Sequence, residues 1–88
     1  MLSKIEVDVL LYLFDNQYNN QMNSISIKKL STLLNLNYFR LRNIIGHLNQ
    51  LKLIFSGYKE RNAFCYYISE KGIEIIKDFK SSFKEELL

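Results

Sequence analysis

From Ile27 to Lys59 the chain runs for 33 residues without an aspartate or glutamate. Within and just beyond that run, Leu30, Leu33, Leu34, Leu36, Leu41, Ile44, Ile45, Leu48, Leu51, Leu53 and Ile54 recur at steps of three and four, the spacing of helices with one buried side. Tyr38, Phe39, Arg40, Arg42, Asn43 and His47 fall between them, on the opposite side. The pattern predicts two short helices joined by a tight turn at Asn35-Leu36-Asn37. Asn35 tolerates the left-handed conformation that ends a helix, Leu36 plugs the space between the two helices, and Asn37 caps the second. Charge follows the same boundaries: residues 1–27 carry −2, residues 28–61 carry +6 and residues 62–88 carry −1. The positive middle is where a polyanion would be met.

A chain of 88 residues makes one small domain, close to the size at which a single core is barely sufficient. A tightly packed core or a partner subunit is therefore required. The apolar share of 48 % and aromatic share of 14 % are those of a chain that folds, because disordered chains lack groups whose burial offsets ordering entropy. No apolar run approaches the roughly 20 residues that cross a bilayer, and the start lacks a basic segment followed by an apolar one. No membrane partner is expected, and the protein is expected in the cytoplasm. One cysteine, Cys65, excludes an internal disulfide, and with a single histidine it leaves too few ligands for a zinc site. Cys65 is expected to be a buried structural thiol, and no metal or cofactor is expected.

Taken in order, Ser3 and Glu6 have the spacing of a capping box at the start of a first helix that reaches about Asn16. That helix is apolar on more than one side, with Ile5, Val9 and Leu13 in one row and Val7, Leu10, Leu11 and Phe14 elsewhere. One face would cover the domain's core; another, with Leu10, Leu11 and Phe14, is a candidate subunit interface. Residues 15–24 have no period and read as a surface loop. Ser24-Ile25-Ser26 suits a very short strand, and Ser26 an N-cap. The second helix, about Ile27 to Leu34, is expected to bury Ile27, Leu30, Leu33 and Leu34 and to expose Lys28, Lys29, Ser31 and Thr32. In the third, continuing to about Leu51, the buried line is Leu41, Ile44 or Ile45, Leu48 and Leu51. Gly46 costs that helix roughly 1 kcal/mol relative to alanine, which suggests close approach of another backbone or helix. Ile54 to Tyr58 and Ala63 to Ile68 then alternate with period two around the polar turn Lys59-Glu60-Arg61-Asn62, a β-hairpin with a charged tip. Ser69 caps a last helix whose stripe is Ile73, Ile76, Phe79, Phe83 and Leu87. This stripe is longer than a small core needs, so Ile76, Phe79, Phe83 and Leu87 join the candidate interface, with 73–88 as a dimerisation helix.

The expected fold is mainly α with a small β-hairpin: helix, short strand, helix, helix, hairpin, helix. The segments Leu34-Asn35-Leu36-Asn37, Ile45-x-x-Leu48, Lys52-Leu53-Ile54 and Tyr66-Tyr67-Ile68-Ser69-Glu70-Lys71-Gly72 resemble winged helix-turn-helix transcription regulators of the MarR and PadR-like kind, bacterial or archaeal, including small viral and plasmid proteins. The resemblance covers about residues 5–76, and Lys52 stands where that pattern has glycine. It implies a recognition helix in the DNA major groove and a homodimer on an inverted-repeat operator. By their chemistry Arg40 and Arg42 suit guanine and Asn43 suits adenine, Tyr38 and Phe39 suit thymine methyls or sugars, and His47 suits a polar contact. Lys28, Lys29, Ser31, Lys59 and Arg61 would neutralise phosphates. Enzymatic activity is not expected: there is no Gly-rich phosphate loop and no metal cluster. A winged helix used for protein–protein interaction, and a plasmid or viral replication-origin binder, are the alternatives; the acid-free stretch argues against the former. The place of action would be the cytoplasm, in association with the nucleoid. A small-molecule effector is not legible.

Overall fold

The computed structural model describes residues 2–87, with side chains through residue 82. Helix α1 (Lys4–Asp15) is followed by strand β1 (Ile25–Ser26), helices α2 (Ile27–Leu34) and α3 (Tyr38–Gln50), strands β2 (Ile54–Glu60) and β3 (Ala63–Ile68), and helix α4 (Glu70–Leu87). The strands form one antiparallel sheet in the order β1-β3-β2. This is the winged helix-turn-helix expected from the sequence.

Most helix boundaries are set by local side-chain chemistry. Ser3 Oγ accepts from the Glu6 amide and the Ser3 amide donates to Glu6 Oε1 at 2.9 Å, so both arms of the capping box at α1 are made. Ser26 Oγ accepts from the Lys29 amide at α2, and Asn37 Oδ1 accepts from the Arg40 amide at α3. Asn35 ends α2 at φ 54°, and the Leu36 amide reaches back to the Ser31 carbonyl. Ser69 Oγ accepts from the Gly72 amide at α4 while donating to the Lys52 carbonyl, tying the α4 start to the chain after α3. Each such cap contributes on the order of 1 kcal/mol.

The core joins Val9, Leu10 and Leu13 of α1 to Leu30, Leu41, Ile45, Leu48, Leu53, Ile54, Ile68 and Ile76, all nearly free of solvent. Burying each such side chain is worth about 1.5–3 kcal/mol. Leu10 and Ile76, expected at a subunit interface, are instead fully enclosed by their own chain, because α1 and α4 pack on each other across that line. Leu11 is half-buried against the same core. Phe14, also half-buried, carries Lys80 Nζ 4.8 Å from its ring centroid, and Lys80 pairs with Asp15 at 2.6 Å. Phe79 remains 45 % exposed. Phe83 and Leu87 of the expected interface lie outside the described side chains.

Three further details depart from the sequence reading. In α2 the buried stripe is rotated, so that Ser31 is buried and Leu33 is 56 % exposed. Ser31 tolerates burial because its hydroxyl donates to the Lys28 carbonyl at 2.7 Å. Leu51, one residue past the end of α3, lies exposed rather than in the core row. The hairpin is longer than alternation implied: β2 continues to Glu60, and only Arg61 and Asn62 turn, at φ 50° and 72°. Two consecutive left-handed residues are what a tight two-residue hairpin loop requires. A bulge sets Gly57 and Tyr58 against Cys65. A Cβ on Gly57 would come within 2.7 Å of Ser24 Oγ, so the 16–24 loop closes over the strand only because residue 57 is glycine.

Candidate nucleic-acid interface

The N-terminal half of α3 is largely exposed: of residues 38–43 only Leu41 is buried. Its apolar spine, Leu41, Ile45 and Leu48, faces inward, and the opposite side carries Phe39, Arg40, Arg42, Asn43 and Gln50. Phe39 is 67 % exposed and meets Tyr38 edge-on, with ring centroids 5.4 Å apart. An exposed phenylalanine has no place in the protein's own packing, and beside two arginines it suits a partner that is both charged and apolar, as a groove of base edges and sugars is. Arg40, Arg42 and Asn43 make no side-chain ion pair or hydrogen bond among the described residues. Among the described residues Gly46 has nothing within 4 Å of where a Cβ would stand, so no packing by them offsets its effect on helix stability.

The hairpin and the start of α2 come up beside this face. Lys28, Tyr38, Arg42, Asn62, Phe64 and Tyr66 line one open recess of about 380 Å³, bringing α2, α3 and the wing around a common space. Tyr66 was not singled out by sequence. Burial pushes its phenol upward in pKa, the neighbouring Tyr38 adds to this and Arg42 opposes it, so β3 supplies a tyrosine next to the proposed base-reading row. The signal available was its place in the alternating strand; its partners lie in distant sequence.

The five proposed phosphate contacts divide. Lys28 and Arg61 are exposed and unpaired among the described residues. Lys59 is exposed with its ammonium 4.6 Å from the Phe64 ring centroid, a contact that leaves donors free. Lys29 is committed to Glu60, Nζ to Oε1 at 3.1 Å, and the Glu60 hydrogen bond is the main reason its pKa is raised. The pair also neutralises the single acid of the wing. Ser31 is withdrawn: it is buried, with its proton given to a backbone carbonyl, and does not reach a ligand. His47, placed by sequence in the base-reading row, has its Nδ1 against the Glu6 carboxylate of α1 and lies in the last turn of α3.

Cys65 is free and fully buried, and burial pushes its thiol pKa up. No group of metal-ligating side chains occurs among the described residues, and none of their helices is long and apolar enough to cross a membrane.

A connecting turn, a recognition-type helix and a wing in this order define a winged helix. Known structures place the chain in the same fold. Staphylococcus aureus MepR, a transcription regulator of the multidrug efflux pump MepA, superimposes with a TM-score of 0.83 at 19 % identity, over 97 % of this chain and 60 % of that one. A MepR–DNA complex gives 0.83 at 18 % identity, over 97 % and 67 %. A MepR point mutant bound to an oligodeoxyribonucleotide gives 0.82 at 19 % identity, over 97 % and 60 %. The chain thus spans about 60 % of the length of the MepR structures it matches. No family model and no curated protein matches the sequence.

Proposed function

We propose that the chain is a sequence-specific, double-stranded-DNA-binding transcription regulator that acts as a homodimer on an inverted-repeat operator. The observation that carries this reading is the α3 face: Phe39, Arg40, Arg42 and Asn43 stand exposed, the two arginines and the asparagine without a side-chain partner among the described residues, flanked by Lys28, Lys59 and Arg61, with Glu60 neutralised by Lys29. In this account Arg40 and Arg42 pair with guanines and Asn43 with adenine, Tyr38 and Phe39 lie against methyls or sugars, and the three free cations set register on phosphates. MepR supports the reading because it has the same fold and has been seen with DNA. The dimer would use Leu11, Phe14 and the outer side of α4 from Phe79 onward, residues 73–88 serving as the dimerisation helix of a single-domain chain. The site of action is the bacterial or archaeal cytoplasm, at the nucleoid.

The test is duplex binding by the wild type and by Arg40→Ala with Arg42→Ala. Each arginine that reads a base is worth about 1–3 kcal/mol of discrimination. The double variant should lose affinity and sequence preference while keeping its melting temperature; unchanged affinity and preference contradict the assignment.

A further inference from the structure

Glu6 and His47 make the only side-chain hydrogen bond between α1 and α3 among the described residues, joining positions 41 apart in sequence. Glu6 is 7 % exposed, with Oε1 on the Ser3 amide and Oε2 on His47 Nδ1. Capping alone does not demand the charge, since glutamine serves at that position of a capping box. With Nδ1 held by a carboxylate, Nε2 is the one free ring nitrogen, and half of the His47 side chain is exposed. His47 lies one turn beyond Asn43 and two beyond Arg40, on the flank of the exposed α3 face. The other charged residues of these helices, Lys4, Asp8 and Asp15 on α1 and Arg40 and Arg42 on α3, are exposed, and none bonds the ring.

We propose that His47 contacts the DNA backbone, donating from Nε2 to a phosphate oxygen in its imidazolium form, and that Glu6 is the positioning residue that fixes the ring for this contact. The inference rests on the DNA-binding reading above and moves His47 from base reading to phosphate contact. It makes DNA binding proton-linked: the complex requires the protonated ring, so affinity falls as pH rises. His47 is the only histidine of the chain, which leaves no second imidazole to confuse the measurement.

The experiment uses the full chain and a random-sequence DNA duplex, because a phosphate contact needs no particular sequence. Wild-type affinity should fall about fivefold to tenfold between about pH 6 and about pH 8. His47→Gln, whose amide can still donate to the Glu6 carboxylate, should flatten that profile while the protein stays folded at neutral pH. Glu6→Gln, which keeps the capping arm, should weaken binding at neutral pH in the wild-type background and have no further effect in the His47→Gln background. A His47→Gln profile as steep as the wild type's overturns the phosphate contact, and a further loss in the double variant overturns positioning through His47. Duplex binding with a flat wild-type profile overturns this inference alone; no duplex binding at either pH overturns the DNA-binding reading and the inference with it.

Discussion

Helices α1 and α3 are nearly equal in length, 12 and 13 residues, and are used in opposite ways. In α1 the fully buried row Val9, Leu10 and Leu13 is flanked by half-buried Ile5, Val7, Leu11, Tyr12 and Phe14, so the helix is covered on most sides by its own chain. In α3 a row of similar size, Leu41, Ile45 and Leu48, has only Ile44 and Asn49 half-buried beside it, and Phe39, Arg40, Arg42 and Asn43 across from it are open. An enclosed helix specifies the fold, while a helix with one buried row is free to carry chemistry on the other side. Glu6 and His47 join the two, so the helix that holds the domain together also touches the helix that would meet DNA.

That contrast is breakable by substitution. Leu10→Ala should cost about 2–5 kcal/mol of stability by leaving a cavity at the centre of the core, measured by denaturant unfolding; a loss below 1 kcal/mol would mean that α1 is not enclosed as described. Arg42→Ala should do the reverse, lowering duplex affinity by about 1–3 kcal/mol with no shift in the unfolding midpoint. Ser3→Ala should cost about 1 kcal/mol through the lost cap of α1. The same end of α1 should be acid-sensitive. The Ser3 amide holds the Glu6 carboxyl below the ordinary glutamate range, burial opposing this and His47 adding to it. A lowered folded pKa means that this stability is fully present above the ordinary carboxylate value and is lost as pH falls through the folded one. Glu6→Gln should make the acid limb of a stability–pH curve shallower. The smallest effect is expected at Lys52, which holds φ 63° just past α3. Lys52→Gly should raise stability by about 0.5 kcal/mol, the relief of a left-handed side chain exceeding the entropy of glycine.

What the sequence revealed and what it hid divide by range. Ser3, Glu6, Ser26, Asn35, Asn37 and Ser69 were legible as helix ends because each acts on backbone within a few residues of itself. The α3 spine was legible because one helix of that length shows its period clearly. Lys52, the departure from the glycine of the resembling pattern, adopts the left-handed conformation a glycine would supply, so the exit from α3 stays sharp. The hidden features all depend on distant partners. Lys29 could not be known to pair with Glu60, nor Glu6 with His47, from their own neighbourhoods. Ser31 and Leu33 exchanged places because α2 is only eight residues long, and a stripe so short leaves its rotation to whatever packs against it. Leu10 and Ile76 were apolar without saying which partner would cover them, and their own chain does so.

Selection of bound duplexes from random DNA by the full chain tests the central claim, that the open face of α3 reads DNA as one half of a symmetric pair. The account predicts enrichment of an inverted repeat whose half-sites are centred one helical turn apart, roughly 34 Å, with guanines lost from the preferred site when Arg40 and Arg42 are replaced by alanine. Recovery of no preferred sequence, or of a single unrepeated site indifferent to those two arginines, would contradict it.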